Sequence, residues 1–218
     1  MNPPLLVIGN RNYSSWSLRP WLLLRHFGMD FTEERIALDQ PDTAARIRRH
    51  SPTGRVPVLV DGPLAVWDSL AICEYANERW LDGAGWPADR AARAVARSIA
   101  AEMHSGFPAL RRELPMNVRA RGRRVTPSES ARADIERVDL LLADVRRRFG
   151  SEGPWRFGAF GIADAMYAPV ASRFATYGIP TGELAEAWCA AVLDHPAMRE
   201  WARVASGEAE IIDADEAG

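Results

Sequence analysis

The sequence predicts an α/β domain over residues 1–82 and an all-α helical bundle over residues 88–218. Three observations carry this division. Strand-like apolar runs are confined to the first eighty residues. The segment Asp82-Gly83-Ala84-Gly85-Trp86-Pro87 interrupts the chain with the small and turn-forming residues of a linker. Beyond it, apolar residues recur only at steps of three and four, the period of a helix.

Each element follows from local pattern. Leu5-Leu6-Val7-Ile8 is a short buried strand that ends in Gly9-Asn10. Leu18 to Phe27 is helical and is stopped by Gly28. Pro20 lacks an amide hydrogen and suits only a first turn, which predicts that this helix starts near Ser17. Phe31 to Leu38 forms a second strand and Thr43 to His50 a short helix, broken by Ser51-Pro52-Thr53-Gly54. Val56 to Val60 and Leu64 to Trp67 flank Asp61-Gly62, the clearest hairpin signal in the chain. A helix from Ser69 to Trp80 completes the order β-α-β-α-β-β-α.

In the second part, helices are expected over Ala88–Phe107, Pro127–Phe149, Ile162–Tyr177, Glu183–Leu193 and Pro196–Ala205. The second is amphipathic through Ala131, Ile135, Val138, Leu142, Val145 and Phe149. The third is apolar on most sides, the pattern of a helix at the centre of a bundle. The tail from Glu208 carries five acids and no base and is expected to fray.

Composition narrows the function. At 218 residues, 47% hydrophobic and 26% charged, the chain has enough core to need no disulfide or metal staple. A net charge of −2 argues against broad nucleic-acid binding. All 27 basic residues are Arg. No apolar run approaches the ~20 residues of a membrane span. No basic stretch followed by an apolar segment opens the chain, so a cytoplasmic protein is expected. Two cysteines and four histidines show no metal-binding spacing. Cys73 has no CxxC partner for thiol–disulfide exchange.

Three short stretches are rich in chemistry. Ser14, Ser15 and Ser17 crowd the start of the first helix, where free amides and the dipole favour an anion; plain capping explains serines there equally well. Arg55-Val56-Pro57 enters a strand, and a cis Pro57 would turn the backbone of Val56 outward as a pairing edge. Asp68-Ser69 stands where a strand hands over to a helix, a cap or a seat for a carboxylate and an ammonium. A ligand with a carboxylate, an ammonium, an extended backbone and an acidic thiol would use all three. Glutathione is such a molecule.

Tyr13-Ser14-Ser15-Trp16-Ser17-Leu18-Arg19, Arg55-Val56-Pro57-Val58-Leu59, Asp68-Ser69-Leu70-Ala71-Ile72-Cys73-Glu74-Tyr75 and Gly161-Ile162-Ala163-Asp164 occur in the order seen in glutathione S-transferases. The chain resembles that family over nearly its whole length. Its serine-rich start is most similar to the zeta class and its bacterial relatives. The resemblance implies a thioredoxin-like first domain with a cis Pro57, a glutathione site and a homodimer, to which Trp67 and Trp80 offer apolar area, although core burial explains those two equally well. It implies that Ser14, or else Ser15, donates a hydrogen bond to the bound thiol. Val56 would pair with the cysteinyl backbone, Arg55 would lie beside the glycyl end, and Asp68 and Ser69 would hold the γ-glutamyl end.

A free thiol has a pKa near ~8.5, so a hydroxyl donor and a helix dipole at this site would raise its thiolate fraction. The implied activity is attack of that sulfur on small electrophiles, with no metal. Isomerisation, dehalogenation, peroxide reduction or glutathione binding without turnover are the alternatives. Trp16, beside the cofactor, departs from the cysteine that zeta-type isomerases carry, which puts isomerase activity in doubt. The electrophile would sit between the domains against Trp16, Met103 and Phe107, unless those side chains belong to the core. Gly161 stands where the family has a Ser or Thr cap, and Asp164 is expected to close that first turn. Arg119, Arg121, Arg123 and Arg124 are expected in a solvated loop or at an anion-guarding rim.

Overall fold

The computed structural model describes residues 3–150 and 153–218. The first part holds β1 (Leu5–Ile8), α1 (Ser15–His26), β2 (Thr32–Arg35), α2 (Thr43–Ile47), β3 (Val58–Asp61), β4 (Leu64–Val66) and α3 (Ser69–Arg79). The sheet order is β2-β1-β3-β4. β1 and β2 are parallel, joined by the α1 crossover; β3 runs antiparallel to β1 and β4 antiparallel to β3. Asp61 pairs with Leu64 across a two-residue turn in which Gly62 takes a φ of 57°. This is the expected thioredoxin-like arrangement.

The alternation of β1 decides what covers each face. Leu6 and Ile8 point toward Leu18 and Leu22 of α1 and Ile72 of α3, while Val7 meets Ile36, Ile47 and Val58 on the opposite face.

The helical part holds α4 (Arg90–Ser105), α5 (Pro108–Glu113), α6 (Glu129–Phe149), α7 (Ile162–Tyr177), α8 (Glu183–Asp194) and α9 (Pro196–Ala205). The bounds of α7 and α9 are those the periodicity predicts. α7 is buried along almost its whole length and packs against α1, α4 and α8. One continuous hydrophobic cluster runs from Leu6 in β1 through α1 and α7 to Trp201 in α9, so the two parts share a core.

The joint between them is folded rather than free. Gly85 N–H donates to Asn77 Oδ1, Trp86 Nε1 donates to Glu74, and the Gly85 carbonyl accepts from Ile162 N. A Cβ at Gly161 would lie 2.7 Å from the Gly85 carbonyl oxygen, which explains glycine in place of a Ser or Thr cap. Asp164 reaches back to the Gly161 amide at 3.2 Å, as expected.

The structure corrects four expectations. α1 starts at Ser15, not near Ser17, and carries Pro20 in its interior, leaving the Trp16 carbonyl without a helical donor. α5 was not foreseen; it is six residues long, with Pro108 in its first turn and Phe107 ahead of it at a φ of 59°. Arg119 and Arg123 are half-buried and bonded to the tail, although Arg121 and Arg124 are exposed.

The tail, fourth, is pinned rather than frayed. Glu208 accepts from the backbone amides of Arg11 and Asn12, and Glu216 accepts from Tyr13 Oη, Asn117 and Arg123. Arg35 holds Glu210, Arg119 donates to the Glu208 and Glu210 carbonyls, and Ile212 is buried. Glu208→Ala is expected to cost about 1–3 kcal/mol, because two backbone amides lose their acceptor. Urea unfolding measures the loss, and limited proteolysis of the tail should accelerate with it.

Candidate functional site

The start of α1, the entry to β3 and the start of α3 converge on one cleft. Trp16, Thr53, Arg55, Val56, Pro57, Asp68, Ser69 and His104 line a cavity of about 530 Å³. Ser14, Ser15, Trp16, Arg55, Val56, Arg111, Arg173 and Asp215 line a neighbouring one of about 420 Å³. Trp16, Arg55 and Val56 are common to both. Of the side chains singled out at the three sequence stretches, all but the fully buried Ser17 lie on this cleft, whereas Met103 and Phe107 are buried in the core beside it.

Backbone groups at the cleft are left open. The Val56–Pro57 peptide is cis, as the resemblance implied. Val56 lies outside β3, and its amide and carbonyl make no hydrogen bond to another described residue. In the first turn of α1, Ser14 Oγ caps Ser17 N at 3.3 Å and the Ser15 amide donates to the Tyr13 carbonyl. The Trp16 amide has no partner among the described residues. It opens toward the cleft at the positive end of the helix.

The two candidate serines differ in what their hydroxyls do. Ser14 Oγ donates to Ser17 Oγ at 2.8 Å, and Ser17 Oγ in turn accepts from the Gly9 amide. Ser15 Oγ accepts from Arg173 Nη2 at 3.4 Å, and its own proton finds no acceptor among the described residues. Arg173 is held in place by a 2.8 Å hydrogen bond from Nε to the Leu114 carbonyl. Burial and the nearby Arg111 push its pKa down to about 10.

At the other end, Asp68 caps α3 by accepting from the amides of Leu70 and Ala71, and its second oxygen meets His104 Nε2 from α4. Ser69 is 1% exposed and its hydroxyl has no partner among the described residues. A buried hydroxyl without a partner costs about 1–3 kcal/mol, and a ligand carboxylate in the cavity would remove that cost. The indole of Trp16 divides the cleft. Its ring lies 4.1 Å from the Arg19 guanidinium carbon, 4.8 Å from that of Arg111, and edge-on to His104.

His104, Arg111, Arg173 and Asp215 were absent from the sequence-based set. They come from α4, α5, α7 and the tail, and nothing local marks them as neighbours of Ser15. Among the described residues no group of His, Cys, Asp and Glu is arranged to hold a metal ion. No helix there is long and apolar enough to cross a membrane.

Comparison with known proteins agrees with this fold. Residues 13–79 match the family model of the glutathione S-transferase N-terminal domain. A dichloromethane dehalogenase of Methylorubrum extorquens is 57% identical over 37 residues, 17% of this chain and 12% of that protein. A probable maleylacetoacetate isomerase of Caenorhabditis elegans is 30% identical over 107 residues, 49% of each chain. The matches thus span half or less of these relatives' length.

Structural likeness extends further. A glutathione transferase homolog from Burkholderia gl BGR1, solved with bound glutathione, superposes with a TM-score of 0.70 at 25% identity, covering 96% of this chain and 100% of that one. A theta-class glutathione S-transferase from Xanthomonas axonopodis pv. citri, also with glutathione bound, gives 0.64 at 25% identity over 93% and 98%. The chain therefore carries the glutathione S-transferase N-terminal domain within a glutathione S-transferase fold.

Proposed function

We propose that the protein is a glutathione transferase in which Ser15 donates a hydrogen bond to the glutathione sulfur and holds it as a thiolate. The observation that carries this reading is the Ser15 proton, without an acceptor among the described residues, beside the open end of α1. The resemblance alone put Ser14 first; the hydrogen bond from Ser14 to Ser17 favours Ser15 instead. Arg173, donating to Ser15 Oγ, turns the hydroxyl hydrogen away from itself and toward the cavity. The Trp16 amide and the helix dipole add to the same field.

The rest of the tripeptide fits the groups left open along the cleft. Val56 supplies an amide and a carbonyl for the cysteinyl backbone, and Ser69 a hydroxyl for the γ-glutamyl carboxylate. Asp68 suits the ammonium, and Arg55 the glycyl carboxylate. Thiolate attack on an electrophilic carbon forms the C–S bond and expels a leaving group such as halide. Trp16 in place of cysteine puts transfer ahead of isomerisation. A cytoplasmic homodimer joined near the exposed Leu64 and Trp67 completes the reading.

Calorimetry with glutathione tests the binding half. Ser69→Ala should weaken binding about ten- to a hundredfold, the worth of a hydrogen bond to a charged group. An unchanged affinity would remove Ser69 from the site. Ultraviolet titration of the bound thiol tests the acidity half: a pKa equal to that in water would leave only a binding protein.

A further inference from the structure

The cavity beside Ser69 is not closed by the first part of the chain alone. Every described residue that lines it falls between positions 16 and 69, except His104. His104 comes from the last turn of α4, in the helical part. Its ring stands edge-on to the indole of Trp16, with 5.4 Å between centroids. Its carbonyl accepts from Arg111 Nη2 at 3.2 Å, which ties the end of α4 to α5. Its Nε2 meets Oδ2 of Asp68.

The acceptor fixes the chemistry of that contact. An ionised carboxylate only accepts, so Nε2 carries the hydrogen and donates it whether the imidazole is neutral or cationic. Oδ1 of Asp68 is already held by the amides of Leu70 and Ala71. The carboxylate is thus gripped at both oxygens, by the first turn of α3 and by α4. Each carboxylate oxygen has room for about two hydrogen bonds, so Oδ2 keeps an acceptor position open. Among the described residues no guanidinium lies within ion-pair distance of Asp68. Arg19, whose buried charge feels Asp68, donates instead to the Met166 carbonyl. The side chains of His104 and Asp68 are 33% and 42% exposed. A pair so open to water contributes little to folding, which leaves its place on the cavity wall to be explained.

We propose that His104 is a positioning residue of the glutathione site, holding Asp68 in the orientation that receives the γ-glutamyl ammonium. The proposal rests on the glutathione binding of the preceding reading and adds to it a residue from the helical part. A carboxylate fixed in advance loses no freedom when its ligand arrives, and binding is tighter by that amount. Leucine at position 104 fills much of the same space but leaves Oδ2 unanchored. The thioredoxin-like part by itself therefore holds an incomplete reader of the ammonium, because the side chain that aims Asp68 lies beyond the linker.

Glutathione and its deamino analogue, glutaryl-cysteinylglycine, titrated calorimetrically into the same protein, test it. The parent should prefer glutathione by about ten- to a hundredfold, the worth of a hydrogen bond between charged groups. His104→Leu should weaken glutathione by about two- to tenfold, leave the analogue where it was, and lower the ratio by the same factor. His104→Gln, whose amide can donate to Oδ2, should restore most of the preference. The ratio is read on one preparation, so a misfolded fraction does not alter it. In turnover, KM for glutathione should rise in His104→Leu while kcat and the acidity of the bound thiol hold. Equal weakening of both ligands, or a ratio indifferent to residue 104, overturns the proposal and leaves transfer intact. A ratio that depends on residue 104 in a protein that conjugates no electrophile supports the proposal and removes the transferase reading instead.

Discussion

Ser15→Ala is expected to lower conjugation at neutral pH by about ten- to a hundredfold while leaving the fold intact. A hydrogen bond to a charged acceptor contributes about 1.5–3 kcal/mol, which is one to two units of thiol pKa. The sign is set by which form is lost. Without the donor the thiol pKa rises, so less thiolate exists at neutral pH and the rate falls; at alkaline pH variant and parent converge. The pH profile of kcat/KM therefore shifts upward as a whole on its acidic limb. Ser15→Thr, which keeps the hydroxyl, should restore most of the activity.

Ser14→Ala separates the two serines. It removes the cap on Ser17 N and should cost about 0.5–2 kcal/mol of stability, with the acidic limb unmoved. A pH profile that follows Ser14 and ignores Ser15 would return the role to Ser14.

Asp164→Ala is expected to have the largest effect on stability, a loss of about 3–5 kcal/mol in urea unfolding. Asp164 accepts from Trp188 Nε1 at 2.8 Å and from the Gly161 amide at 3.2 Å, and stands 3.9 Å from Arg156. Both charged side chains are 1% exposed. Arg156 otherwise donates from Nη1 to the Ala163 carbonyl at 3.2 Å and stacks on Trp188, 3.7 Å from guanidinium carbon to ring centroid, with Nε and Nη2 unpartnered among the described residues. Removing the carboxylate strands that cation in the core, opens the first turn of the central helix and orphans an indole N–H. Asp164→Asn keeps an acceptor for the indole or the amide but not the charge, and should recover part of the loss. A cost below about 1 kcal/mol for the alanine variant would show that Arg156 finds another partner.

What the sequence discloses about this protein follows the range of its interactions. β1, α6, α7 and α9 were legible because burial imposes a period on consecutive residues. The cleft residues Trp16, Arg55, Val56, Pro57, Asp68 and Ser69 were legible because each sits at a strand–helix junction with its own local signature. α5 was obscured because one short turn has no period, and only Pro108 marked it. The choice between Ser14 and Ser15 turns on where α1 begins, and Pro20 pointed two residues too late. Arg111 and Arg173 on the wall of the second cavity lie nearly a hundred or more positions away from Ser15. The acidic tail looked frayed because Arg11, Asn12, Asn117 and Arg123, which hold it, are distant along the chain.

The contact between Gly85 and Gly161 limits how the cleft can work. Two backbones meet there with no room for a side chain, and the hydrophobic cluster runs unbroken beneath them. The halves are thus riveted and have no hinge about which to open like a clamshell. The aperture is fixed, and molecules must enter and leave over its rim, past the acidic strap at the chain's end.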